Sequence, residues 1–242
     1  MAAESQEGVP TRSLAKPGQR PCAPSRRGDA ASAGSHKSPY DAVAREYAEK
    51  FSDEMSKKPK DRDMLARFAR EVQGRGLVCD MGCGPGQTAI HLSGLGVKVC
   101  GLDISHPMLV EARRLHRHLE FVQGDMLSLP LADNSLAGII AFYAIVHFPP
   151  ETLARAFREM ARALSPDGWL LLTFHIGNET IHVEEFLGKR VPMDFVFFPT
   201  QAVARAIQAA GLALEQVIER DPYPGVEYQS RRAYVLARKH GT

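Results

Sequence analysis

The sequence lacks any apolar run of the roughly 20 residues that a membrane-spanning helix needs. Its first residues, Met1–Glu7, include acids and no apolar segment, which argues against a secretory signal or a mitochondrial leader. The 242 residues include only four cysteines and no Cys-X-X-Cys pair, which argues against a disulfide framework or a zinc site. We therefore expect a protein of the reducing cytoplasm that is not attached to a membrane and binds no metal ion.

The chain also carries little net charge, +2 at pH 7, and that charge is unevenly distributed. Residues 1–38 hold six Lys and Arg against three Asp and Glu, so the remainder is close to neutral. This segment is rich in Pro, Ser and Gly and has no hydrophobic periodicity, which predicts a disordered basic tail. We expect residues 39–242 to form one globular domain. Because they have no basic surplus, we expect no nucleic-acid partner.

Hydrophobic periodicity predicts the fold. Apolar residues recur at helical spacing from Tyr40 to Val72, which predicts two helices within residues 39–75. Seven short apolar strands then follow, at about residues 77–81, 97–103, 119–123, 137–146, 169–174, 212–220 and 231–238. Helices separate most of them, but only a loop separates the last two, so the last strand is expected to be antiparallel. The pattern predicts an α/β fold with a mainly parallel seven-stranded sheet and helices on both faces. Residues 176–199 are an irregular insert, and Thr200 is expected to cap the next helix.

A glycine-rich turn, Asp-Met-Gly-Cys-Gly-Pro-Gly, ends the first strand and precedes a helix. Its glycines, Gly82, Gly84 and Gly86, permit a tight turn and let a ligand approach the backbone. A dinucleotide-binding turn would have its third glycine at position 87, where this chain has Gln87. The carboxylate of Asp80 would also disfavour a pyrophosphate. A nicotinamide-dependent oxidoreductase is therefore a less favoured alternative, and a sulfonium ligand with an amino-acid tail fits better.

Two more acids follow the next two strands. Asp103 ends the second strand, where a carboxylate can accept both ribose hydroxyls of an adenosine. Asp125 follows the third strand, where it can accept from an adenine amino group while the Met126 amide serves a ring nitrogen. Each acid alone could be an ordinary helix cap or turn former. Because parallel strands end at one edge of a sheet, three such acids together predict an adenosine-binding site there.

Several segments together resemble class I S-adenosylmethionine-dependent methyltransferases of the ubiquinone/menaquinone-biosynthesis type. The matching segments are residues 40–47, 80–86, 101–105, 123–130 and 164–170, and the resemblance extends over residues 39–238. It implies a Rossmann-like fold, S-adenosylmethionine as the cofactor, and methyl transfer to an O, N or C atom of a small organic acceptor. An RNA or protein methyltransferase and a catalytically silent cofactor-binding module stay open as alternatives, and we expect a monomer or homodimer.

The resemblance also implies how the cofactor is held. Asp80 and Gly82 would lie along its methionine part, Asp103 would hold the ribose, and Asp125 with Met126 would hold the adenine. Ala141, at the end of the fourth strand, would offer its backbone to the cofactor's amino group. The remaining positions implied as cofactor-binding are Tyr47, Gly84, Gly86 and Ile104. The resemblance further implies that the helices at 39–75 fold over the cofactor as an N-terminal lid.

The reaction is an in-line displacement in which the cofactor carries the activation and the protein supplies alignment and a dry site. If the acceptor needs a base, His147 just past the fourth strand is the first candidate, with Tyr143 beside it. Either could instead be structural, as a histidine bonded to backbone or a core aromatic. Candidate substrate contacts are Tyr40, His175 and His182. The histidines and acids of the insert match no compact metal-binding spacing, so no metal ion is expected.

Overall fold

The computed structural model describes residues 38–241, so the predicted disordered tail lies outside the described residues except for Ser38. The helices are α1 (Ala44–Phe51), α2 (Glu54–Lys57), α3 (Pro59–Val72), α4 (Gln87–Gly94), α5 (His106–Leu115), α6 (Leu153–Ala163) and α7 (Thr200–Ala209). The strands are β1 (Val78–Met81), β2 (Val99–Asp103), β3 (Glu120–Gln123), β4 (Leu136–Phe142), β5 (Leu164–His175), β6 (Thr180–Phe186), β7 (Lys189–Val196), β8 (Leu212–Arg220) and β9 (Arg232–Lys239).

Seven strands form one sheet in the order β3-β2-β1-β4-β5-β9-β8. All neighbours are parallel except β9, which runs antiparallel to both β5 and β8. The predicted sheet and its antiparallel last strand are therefore confirmed. The chain order reverses between β1 and β4, and ligands of such sheets bind outside the carboxyl ends of the strands at this switch point.

Side chains of the central strands alternate between two apolar layers. Val78 and Ile140 belong to a cluster with α3, α4 and α5, whereas Cys79 and Ile139 belong to a cluster with α6 and α7. Because successive residues of a strand point to opposite faces, continuous apolar strands require helices on both sides. The buried strands therefore explain the three-layer architecture.

The N-terminal segment differs from its prediction. A 3₁₀ turn at Pro39–Ala42, begun by the Ser38 hydroxyl accepting from the Tyr40 amide at 3.3 Å, precedes α1. A break separates α1 from the short α2, and α3 begins with a proline at its first position. The apolar stripe of α3 packs on the sheet, so α3 is a core helix. The lid at residues 39–75 stays a prediction, and we use the name lid below for residues 39–51 alone.

The insert is regular, contrary to expectation, because β6 and β7 pair as an antiparallel hairpin. Leu187 and Gly188, at its turn, have φ angles of 54° and 75°, as a two-residue hairpin turn requires. Val191 and Met193 on β7 pack against Val43 of the N-terminal segment. The hairpin therefore buries its apolar face against the lid.

Two smaller expectations are wrong. Thr200 is the first residue of α7, and Pro199 occupies the cap position without a side-chain cap bond. Cys79 and Cys83 are buried free thiols, but Cys100 is disulfide-bonded, which corrects the expectation that the few cysteines form no disulfide.

We predict that Gly138→Ala destabilises the protein. A Cβ on Gly138 would lie 2.6 Å from Phe68 Cζ and 2.9 Å from Val72 Cγ1, where α3 crosses β4. Overpacking of this kind costs about 1–3 kcal/mol in the free energy of unfolding, measurable by urea denaturation. Gly94→Ala, at the end of α4 with no neighbouring atom within 4 Å, is the control and should be neutral or mildly stabilising. Equal stability of the two variants would contradict this account of the α3 packing.

Candidate active site

The three predicted acids lie at the carboxyl edge of the sheet, beside the switch point. Asp80 is on β1 and pairs in register with Gly101 of β2, which ends two residues later at Asp103. Asp125 follows β3, and its Oδ1 accepts a hydrogen bond from the Leu127 amide at 2.7 Å. The structure thus brings the ends of three successive strands together, as the motif spacing predicts.

The glycine turn is drawn onto β2 by one carbonyl. The amides of Gly82 and Cys83 both donate to Leu102 O, at 2.8 and 3.1 Å. The turn glycines have φ angles of 69°, 51° and 89°, which side-chain-bearing residues rarely adopt.

The surroundings of the three turn glycines differ. A Cβ on Gly82 would lie 2.6 Å from Ala144 Cβ, and one on Gly86 would lie 3.0 Å from Phe121 Cζ. At Gly84 the only near atom among residues 38–241 would be Tyr47 Cε1, at 4.0 Å. Gly84 is therefore the turn glycine whose backbone is open toward the lid.

Asp103 is held in a fixed orientation by the backbone. Its Oδ2 accepts from the Gly84 amide and its Oδ1 from the Ser105 amide, both at 2.8 Å. Burial raises the pKa of Asp103, and these N–H donors oppose the rise. Because each carboxylate oxygen can accept two hydrogen bonds, both keep capacity for a ligand. Next to it, the side chain of Ile104 is 38% exposed although apolar.

Asp80 is almost completely buried, and its Oδ2 has no hydrogen-bond partner among residues 38–241. Burial raises the pKa of Asp80 to about 8; the Ala89 amide lowers this pKa and the nearby Asp103 raises it. A buried acceptor without a donor is uncommon in folded proteins and calls for a ligand or another explanation. Among the described residues of the site, Asp80 Oδ2 is thus the acceptor that most clearly lacks a hydrogen-bond donor.

Two tyrosines of the N-terminal segment cover this edge. The rings of Tyr40 and Tyr47 meet edge to face with centroids 5.7 Å apart. Burial and the nearby Asp103 raise the pKa of both phenols, so they stay protonated at neutral pH. Ser105, which caps α5 by accepting from the Met108 amide, donates its hydroxyl to Asp41 of the lid at 2.6 Å.

Both ring nitrogens of His147 are engaged by protein groups. Nδ1 lies 2.7 Å from the carbonyl oxygen of Asp194 on β7, and Nε2 lies 2.8 Å from the hydroxyl of Tyr40. Burial lowers the pKa of His147, so its imidazole is neutral at physiological pH. His147 thus contacts the lid and the hairpin at once.

Tyr143 lies among buried charges. Its φ of 53° places it in the left-handed region, and its hydroxyl is buried without a hydrogen-bond partner among the described residues. Lys58 Nζ and Arg232 Cζ lie 5.2 and 5.7 Å from its ring centroid. Burial and nearby Asp61 raise the pKa of this hydroxyl.

Sequence reasoning missed the ionic network around Tyr143. The network joins the start of α3 to β8, β9 and the loop between these two strands. Its members are Lys58, Asp61, Arg220, Glu227, Arg232 and Tyr234. No spacing motif connects these residues. The one available signal was Arg232, a charged residue directly before the buried run Ala233–Ala237.

The two other predicted histidines, His175 and His182, lie in different environments. His175, at the end of β5, stacks on Phe197 with centroids 4.9 Å apart, and its Nδ1 lies 2.6 Å from Ser230 Oγ. Burial and the nearby Arg232 and Lys58 lower the pKa of His175 to about 3.

His182 lies on the solvent-exposed side of the hairpin, bonded to Asp194 and Glu184, which raise its pKa. It does not join the other candidate residues. Within residues 38–241, no group of three or more His, Cys, Asp or Glu side chains is arranged to hold a metal ion.

Comparison with known proteins agrees with this geometry. Residues 78–168 match the family described as a methyltransferase domain. The chain is 30% identical over 195 residues to a malonyl-[acyl-carrier protein] O-methyltransferase of Erwinia billingiae, covering 73% of this chain and 75% of that protein. It is 34% identical over 104 residues to a demethylmenaquinone methyltransferase of Chlorobaculum parvum, covering 43% and 42% of the two chains.

Solved structures resemble the fold as well. A methyltransferase from Methanosarcina mazei superposes with a TM-score of 0.62 at 16% identity, covering 69% of this chain and 93% of that one. A sheet of this order, with a glycine turn and acids at its switch point, defines a Rossmann-like nucleoside-cofactor enzyme. The chain belongs to the class I S-adenosylmethionine-dependent methyltransferases.

The residues present fit S-adenosylmethionine. The cofactor offers hydroxyls for Asp103, which has free acceptor capacity, and an ammonium for the unpartnered Asp80 oxygen. Ile104, exposed although apolar, could take a flat face of the adenine, and the Gly84 backbone leaves space under Tyr47. The hydrogen-bond donors of the cofactor thus match the free acceptors of the site.

We predict that binding of S-adenosylhomocysteine at pH 7 releases about one proton from Asp80. With a pKa of about 8 this carboxyl is mostly protonated in the free enzyme, and a bound ammonium would favour its ionised form. Affinity should therefore rise as pH increases toward 8. Calorimetry in two buffers of different ionisation enthalpy measures the release, and Asp80→Asn should abolish it. An equal proton release from Asp80→Asn would assign the proton to another group.

Proposed function

We propose that this enzyme transfers the methyl group of S-adenosylmethionine to a small organic acceptor bound between the carboxyl edge of the sheet and the lid. The observation that carries the proposal is the paired acids: a backbone-oriented Asp103 next to a buried Asp80 with an unpartnered oxygen. The arrangement of Asp80 does not serve the fold, because an acid buried with one oxygen unpartnered costs free energy.

We assign the chain's residues to three tasks. Asp103 holds the ribose, Asp125 with the Met126 amide holds the adenine, and Asp80 with the turn backbone at Gly82 holds the methionine part. Gly84, Gly86, Ile104 and Ala141 shape the walls of the same cleft, and Tyr47 closes it from above. The cofactor supplies a methyl group already activated on a sulfonium, so the protein contributes alignment and exclusion of water.

The acceptor side lies along the ends of β4 and β5. Tyr40, His147, Tyr143 and His175 surround it, and the neutral imidazole of His175 among aromatic rings favours a planar or apolar acceptor over a charged one. The engaged nitrogens of His147 and the buried hydroxyl of Tyr143 disfavour both as bases. We therefore propose an acceptor whose O, N or C atom is nucleophilic without a strong base from the protein. His182 is proposed only as a contact at the rim of the hairpin.

The names of two relatives support a small organic group as the acceptor. One is named for malonyl-[acyl-carrier protein] and the other for demethylmenaquinone, so their reactive groups differ. No helix among residues 38–241 has the length and hydropathy to cross a membrane. We propose an enzyme that acts as a monomer or homodimer. The cytoplasmic location stays a prediction from composition, and the disulfide of Cys100 argues against the reducing compartment that this prediction assumes.

We predict that the protein binds S-adenosylmethionine and S-adenosylhomocysteine in calorimetry. Asp103→Ala should weaken this binding by roughly tenfold to a hundredfold, because hydrogen bonds to a charged acceptor are worth about 1.5–3 kcal/mol. Asp63→Ala, an exposed carboxylate on α3, is the matched control and should bind normally. No binding of either ligand, with a thermal shift produced by NAD, would overturn the proposal.

We also predict turnover, which separates an enzyme from a silent cofactor-binding module. The measurement is release of S-adenosylhomocysteine against a panel of phenolic, quinol, carboxylate and amine acceptors. Tight binding with no acceptor-dependent release anywhere in the panel would favour the silent module.

A further inference from the structure

The lid and the hairpin are two distant segments that build one roof over the cleft. We call residues 39–51 and 180–196 together the roof. Their shared apolar cluster contains Val43, Val191 and Met193, with Tyr40 and Phe186 packed against it. An ion pair at 2.7 Å joins Lys189 of the hairpin to Glu46 of the lid, and Lys189 also donates to the Ala42 carbonyl at 2.7 Å. The two halves of the roof are therefore packed together and are expected to move together.

His147 stands where this roof meets the sheet. The loop after β4 carries it, and the same loop accepts a hydrogen bond from the Val196 amide through the Val146 carbonyl, at 2.7 Å. The His147 ring packs edge to face on Tyr40, with centroids 5.2 Å apart, and against Phe195 at 5.0 Å. His147 thus contacts both halves of the roof, and the chain connects it directly to β4, which ends beside the cofactor site.

The bonding partners fix the tautomer of His147. The Asp194 carbonyl can only accept, so Nδ1 carries the proton. Nε2 is then the acceptor, and the Tyr40 hydroxyl donates to it. No lone pair of this imidazole is left to take a proton from a methyl acceptor. The Tyr40 oxygen keeps its lone pairs and is held near Asp103.

We propose that His147 is a positioning residue that fixes the Tyr40 hydroxyl and ties the lid to the hairpin in the closed roof. In this role it keeps water out and the acceptor aligned, and it moves no proton during methyl transfer. The inference deepens the proposed function of the site and rests on it.

Hydrogen exchange of the free protein and its S-adenosylhomocysteine complex tests the structural half. His147→Phe keeps a ring and loses both hydrogen bonds, so amides in 39–51 and 180–196 should exchange faster together, by about tenfold. Exchange in β1, β4 and α6 should be unchanged. His147→Gln, which retains one donor and one acceptor, should restore part of the protection, and His118→Phe, an exposed histidine outside the roof, should behave as wild type. Faster exchange in only one half of the roof would overturn the proposal.

Kinetics with a responsive acceptor tests the positioning half. Tyr40→Phe and His147→Phe should each accelerate S-adenosylhomocysteine dissociation and lower kcat/KM by about tenfold. The double variant should be no worse than His147→Phe alone, because Tyr40→Phe removes only the His147–Tyr40 bond, which His147→Phe has already removed. The pH–rate profile of His147→Gln should keep the shape of the wild-type profile.

Two kinetic outcomes would overturn the proposal in favour of a base. One is loss of the acidic limb of the pH profile in His147→Gln, and the other is a large fall in kcat for His147→Phe with unchanged dissociation and a normal Tyr40→Phe. Failure of the wild type to bind S-adenosylhomocysteine would instead contradict the proposed function, while the exchange experiment on the free protein would still decide whether His147 joins the two halves.

Discussion

The register between β1 and β2 is the constraint on which the site depends. One carbonyl, Leu102 O, accepts the amides of Gly82 and Cys83, which fixes the turn after β1 against the end of β2. The same register lets the Gly84 amide reach the Asp103 carboxylate. The backbone therefore orients the acid before any ligand arrives, and the ligand does not have to order it. A site prepared in this way loses less conformational entropy when it binds.

Much of this edge of the sheet was predictable from local sequence. Glycine turns, strand-ending acids and the Ser105 cap are short-range features, and parallel strands align their carboxyl ends whatever the distant packing is. The seven strands were predictable for the same reason, because buried strands are recognisable as continuous apolar runs. The fold and the cofactor half of the site therefore follow from patterns only a few residues long.

The acceptor half depends on contacts between residues far apart in the chain. Apolar and polar residues alternate imperfectly along 180–196, so the sequence does not predict the hairpin. Its contact with the lid joins residues about 140 apart in the chain, such as Glu46 and Lys189. The bonds of His147 and the ionic network under Tyr143 have the same character. Thr200 failed as a cap because Pro199, with its fixed φ, already occupies that position. Side-chain type alone could nominate His147 for the site, but only its partners limit its role.

The ion pairs of the molecule differ in their access to salt. Lys189 and Glu46, at the outer edge of the roof, are both more than a third exposed, whereas Arg232 and Glu227 beneath Tyr143 are almost completely buried. Dissolved ions screen exposed pairs and hardly affect buried ones. Rising ionic strength would therefore weaken the Lys189–Glu46 ion pair at the edge of the roof, while the hydrogen bonds of His147 and the ion pair beneath Tyr143 persist. The salt concentration would therefore govern how readily the roof opens over the cleft, rather than the stability of the fold.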